Sequence, residues 1–84
     1  MAKAYEAGLT MGRVDGAEWA RENGPSYAEG AYDGSNIDES GLREDALAAL
    51  HVATQHDPKN YAQLDRDDVV EGYIVGFRRA AAPR

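Results

Sequence analysis

The chain has 84 residues, no cysteine and a formal charge of −6, which sets one small domain and excludes disulfides, thiolate metal sites and cysteine nucleophiles. No apolar run approaches the roughly 20 residues of a membrane span, and no basic stretch followed by an apolar one opens the chain, so a soluble, cytoplasmic protein is expected. The charge is uneven: residues 1–21 balance three acids against three bases, 22–71 hold twelve acids against three bases, and 72–84 carry Arg78, Arg79 and Arg84 with no acid.

The first predicted element is a helix over 2–23. Within it Ala4, Gly8, Gly12, Gly16 and Ala20 recur every fourth residue. Near the C-terminus Gly72, Gly76 and Ala80 repeat the device. Glycine in a helix interior is about 1 kcal/mol less favourable than alanine. Five such glycines therefore oppose folding by about 4–5 kcal/mol, comparable to the whole stability of a small domain. Close approach of another backbone along each row is the expected compensation. Projected on a helix, Tyr5, Gly8, Leu9, Gly12, Gly16, Trp19 and Ala20 share one face, with Lys3, Glu6, Thr10, Arg13 and Arg21 opposite. Because a four-residue step overshoots one turn by about 40°, the row drifts around the axis, which suits a steeply crossing neighbour better than a long parallel one. Asn23-Gly24-Pro25 supplies the stop.

Residues 24–37, rich in glycine and holding Tyr27 and Tyr32, read as a long loop. The second helix is expected over 38–56, capped by Asn36 or Asp38 with Glu39 in its first turn. Leu42, Ala46, Ala49, Leu50 and Ala53 form its apolar face. Asp57-Pro58 ends it. Residues 58–64 read as a connector with one short turn around Asn60-Tyr61-Ala62. The last helix, 65–81, has the clearest start: Asp65 as cap, Asp67 and Asp68 in the first turn, and Leu64 stapled onto Val69. Val69, Tyr73, Gly76, Phe77 and Ala80 make its stripe. The predicted fold is all-α: a small bundle of three helices, or four counting a short connector helix, around a tyrosine-rich core, with the first and last helices crossing through their glycine rows. Apolar residues do not alternate with period two, which argues against a sheet.

Candidate catalytic chemistry is sparse, and an enzyme is not expected. His51 and His56, the two histidines, point about 140° apart on a helix and cannot share a metal from one face. Asp33-Gly34-Ser35-Asn36-Ile37-Asp38-Glu39 lacks the glycine spacing of a calcium loop. The glycine rows follow helical periodicity and lack the Lys-Ser or Lys-Thr of a phosphate-binding loop. Ser26, Ser35 and Ser40 lie in or beside polar turns without a nucleophile elbow. No cofactor or metal is therefore expected. Arg13, Asp15, Glu18 and Arg21 exclude a membrane use of the Gly-x-x-x-Gly row.

The acidic middle carries the functional expectation. Glu29, Asp33, Asp38, Glu39, Glu44 and Asp45 fall within seventeen residues opposed only by Arg43, and Asp65, Asp67 and Asp68 cluster at a helix start. Carboxylates on a rigid helical surface can imitate a phosphate row and occupy a basic protein surface, such as that of a nucleic-acid-binding complex, without binding nucleic acid themselves. Tyr27 and Tyr32 either pack back over the small core or serve as exposed aromatic anchors. In size and charge the chain is similar to small phage-encoded inhibitors, including some anti-CRISPR and anti-restriction proteins, a resemblance of composition alone. The alternative reading is an assembly adaptor or homo-oligomer packed through the Gly-x-x-x-Gly faces.

Overall fold

The computed structural model describes residues 2–22 and 38–82. In chain order the elements are α1 (Ala2–Glu22), α2 (Glu39–His56), α3 (Pro58–Tyr61) and α4 (Arg66–Ala81), and no strand occurs among the described residues. The fold is the expected all-α bundle, with the boundaries of the three long helices within one residue of the predicted ones. The stop at Asn23-Gly24-Pro25 and the loop 24–37 lie outside the described residues. No described helix is long and apolar enough to cross a membrane.

Local chemistry accounts for the helix ends. At the start of α4 the Asp65 carboxylate accepts from the Asp68 N–H at 3.1 Å, satisfying one of the amides that a helix start leaves without a partner. Leu64 packs against the cluster that contains Val69. The start of α2 differs from expectation. Asp38 occupies the cap position but makes no capping bond, and its carboxylate instead accepts from the Ser40 hydroxyl. The connector turn forms earlier than predicted, because Pro58 is pre-set for the first helical position. Asp57 joins the two helices there. Its N–H closes α2 on the Ala53 carbonyl at 2.8 Å, its carbonyl accepts from the Asn60 and Tyr61 amides, and its carboxylate accepts from Asn60 Nδ2 at 2.7 Å.

The glycine rows join α1 to α4. A Cβ added at Gly8, Gly12 or Gly16 would lie 1.9, 2.1 and 2.5 Å from the carbonyl oxygens of Val69, Tyr73 and Phe77. Reciprocally, a Cβ at Gly72 or Gly76 would lie 2.1 and 2.3 Å from those of Tyr5 and Leu9. Partner numbers rise together on both helices, so α1 and α4 run parallel. The contact is longer than the expected steep crossing, since both rows have the same four-residue period and drift together, whereas a single row would drift away from its neighbour. In all five glycines it is an α-hydrogen that faces the oxygen. Such Cα–H···O contacts contribute about 0.5–1 kcal/mol each, enough to offset most of the roughly 4–5 kcal/mol of lost helix propensity.

Helix α4 is the centre of the bundle. Val69, Val70, Tyr73, Ile74, Phe77 and Ala81 are all buried. Leu42 and Ala46 of α2 join the cluster of Tyr73, Phe77 and Ala81, while Leu50 joins Val69 and Ala4. Helix α2 therefore runs antiparallel to α4. Among the described tyrosines Tyr73 is buried and Tyr5 and Tyr61 are half-buried, while Tyr27 and Tyr32, also expected against the core, lie outside the described residues. Glycine and alanine bring the backbones so near that aliphatic side chains fill the remaining space.

Gly12→Ala should destabilise the chain by about 1–3 kcal/mol in urea titration despite alanine's higher helix propensity, because the new methyl must force two backbones apart. Gly41→Ala should stabilise it by up to about 1 kcal/mol, since nothing lies within 4 Å of the added carbon. Equal effects at the two positions would contradict the close contact.

Candidate functional site

Helices α1 and α2 both pack on α4 but hardly on one another, which leaves an open furrow of about 760 Å³ between them. Its α1 wall is built at helical spacing from Met11, Val14, Asp15, Glu18, Trp19 and Glu22. Its α2 wall is low because three of its members, Ala48, Ala49 and Ala53, are alanines, joined by Asp45 and Val52. Tyr73 and Phe77 of α4 form the floor. There the Tyr73 and Phe77 rings stack at 6.1 Å between centroids, and Trp19 tilts against Phe77 at 6.5 Å. Val14 on the α1 wall and Val52 on the α2 wall are 61% and 51% exposed.

The charge on this furrow has one sign. Asp15, Glu18, Glu22 and Asp45 line it, and no lysine or arginine is among its described lining residues. Arg13 and Arg21 of α1 are exposed elsewhere. At the floor the Tyr73 hydroxyl donates to the Asp15 carboxylate. Burial pushes the Tyr73 phenol well above its ordinary range, and the hydrogen bond to Asp15 and the charges of Asp15 and Asp45 push it the same way. Tyr73 is thus fixed as a neutral donor. Asp15 has about four lone-pair sites, of which this bond takes one.

The acids singled out from the sequence are distributed, not gathered into one array. Asp45 lines the furrow. Glu44 is exposed on another face of α2. Glu39 and Asp67 line a second, mixed-charge depression between α2 and α4, where Asp67 pairs with Arg43 at 3.4 Å and both groups are exposed. Asp65 caps α4 through the amide of half-buried Asp68, and Asp38 accepts from Ser40. Glu29, Asp33, Tyr27 and Tyr32 lie outside the described residues. The sequence reading missed Asp15 and Glu18 because charge summed by segment lets Lys3, Arg13 and Arg21 cancel Glu6, Asp15 and Glu18, and it missed Glu22 because that residue was counted with the acidic middle. Their steps of three and four residues, alongside Met11 and Val14, are the signal that could have found them.

His51 and His56 are exposed. Among the described residues no cluster of three or more histidines and carboxylates is placed to hold a metal ion. Comparison with known protein families, curated proteins and solved structures finds no match to the chain. The furrow must be read from its own chemistry.

Tyr73→Phe removes the donor from a half-buried carboxylate and should cost about 1–3 kcal/mol in chemical denaturation. The raised phenol also sets a pH dependence. Stability from the neutral phenol is fully present below the ordinary tyrosine value of 10.0 and falls as pH rises above it, because the unfolded state then loses the proton first. An alkaline absorbance titration should therefore show one tyrosine ionising only as the chain unfolds, and Tyr73→Phe should remove that step.

Proposed function

We propose that this chain is a non-enzymatic binding module that presents an acidic, apolar-floored furrow to a basic surface of another protein. One observation carries the reading: among the described residues four carboxylates and no base line an open groove whose floor is aromatic. Apolar area supplies affinity, and a rim of one sign selects partners of the opposite sign and speeds encounter. Proteins that handle nucleic acid are the widest class with such basic surfaces. The narrower form of the proposal is therefore an inhibitor that excludes nucleic acid from its target. The assembly reading is less well supported, because the Gly-x-x-x-Gly faces it needs meet backbone within the chain. A second copy would also set this acidic rim against its own kind.

Co-purification of the full chain with its partner should give a complex that dissociates steeply as salt rises. Neutralising Glu18, Glu22 and Asp45 together should weaken it about tenfold, each rim charge contributing about 0.2–1 kcal/mol. Neutralising Asp38, Glu39 and Glu44 should weaken it less. Affinity unchanged by salt and by the first set would refute the proposal.

A further inference from the structure

We infer that the occupant of the furrow is a single amphipathic helix of the partner, two to three turns long, with large apolar side chains against Met11, Val14, Trp19 and Val52 and a lysine or arginine between Asp15 and Asp45. This rests on the reading of the chain as a module for basic partners and specifies what that partner presents.

Backbone hydrogen bonding selects a helix. Both walls of the furrow are helices, whose own backbone groups are paired internally, so an extended segment laid on the apolar floor would find no ladder for its N–H and C=O groups. A helix satisfies its own. The dimensions agree: the α1 wall from Thr10 to Glu22 runs about 18 Å and the α2 wall from Asp45 to Ala53 about 12 Å at 1.5 Å per residue. The alanines of the α2 wall permit the 8–10 Å axial approach of packed helices. Such a helix would lie over α4 between α1 and α2, completing a four-helix arrangement. Its charge follows from the rim. Asp15 and Asp45 stand on opposite walls beside the Tyr73 hydroxyl, and a carboxylate such as Asp15 can accept from an ammonium or a guanidinium as well as from that hydroxyl. A second copy of this chain would bring carboxylates against carboxylates.

Trp19 is the chain's single tryptophan and lines the furrow, so its fluorescence reports occupancy. The probe is a synthetic leucine–lysine peptide of about 14 residues with leucines at i, i+3, i+4 and i+7. Its control has the same composition rearranged so that no apolar face forms. The amphipathic peptide should shift Trp19 emission saturably and bind about tenfold more tightly than the control. Ala48→Phe, which fills the groove from an exposed position, and Val52→Asn should each abolish most of that preference, with circular dichroism confirming that both variants fold. Asp45→Asn should weaken the amphipathic peptide and reduce its salt dependence. Equal binding of both peptides, untouched by Ala48→Phe and Val52→Asn, overturns the helical occupant while leaving a basic partner in place. Binding of neither peptide overturns the occupant, and the salt-dissociation experiment on the co-purified complex then decides the wider reading. A Trp19 shift that appears on concentrating the chain alone, with sedimentation as a dimer, overturns it in favour of a second copy.

Discussion

Backbone-to-backbone contact between α1 and α4 is the constraint on which the other contacts rest. Five glycines aim an α-hydrogen at a carbonyl oxygen of the opposite helix, three in one direction and two in the other. The axes are held so near that no side chain separates them. With α1 fixed in this way, α4 directs Val70, Ile74 and Phe77 to α2 and keeps Tyr73 within reach of Asp15. The furrow is a by-product of this geometry. Two helices packed on the flanks of a third leave a channel above it wherever their own contact is slight.

Much of this frame was legible in the sequence. A four-residue repeat of glycine in a helical segment has no local benefit, so it signals a neighbour that needs the space, and the structure supplies that neighbour at each rung. The Asp65 cap and the Leu64 staple were legible for a similar reason, since capping is written in adjacent residues. The walls of the groove were harder to read. Asp15, Glu18 and Glu22 become a wall only once α2 stands opposite them, and that depends on how both helices sit on α4. Asp15 and Tyr73 are 58 residues apart, and no local pattern pairs them. Acidity alone also overstated some residues: Asp65 acts within its own helix start, and Asp67 is already paired with Arg43.

The floor combines two properties that usually conflict. It is apolar enough to hold a large side chain, yet it carries a hydroxyl whose proton is committed to a carboxylate. Burial keeps the Tyr73 phenol protonated well above the pH at which an exposed tyrosine ionises. A partner of the proposed kind would be selected on two grounds. A purely basic chain would satisfy the rim and leave Val14 and Val52 wet, and a purely apolar one would cover them and leave the rim acids without a counter-charge.

The parallel pairing of first and last helices also fixes an order of events. Helix α1 contains three glycines, each of which lowers its helical population in isolation. Its stabilising partner begins only at Arg66. During synthesis α1 and α2 both leave the ribosome before the helix on which each packs, and closing the intervening chain carries an entropic cost that local contacts do not offset in advance. Folding of this small helical chain is thus governed by its most distant contact, and a lesion at Gly72 or Gly76 acts on α1 as directly as one within α1 itself.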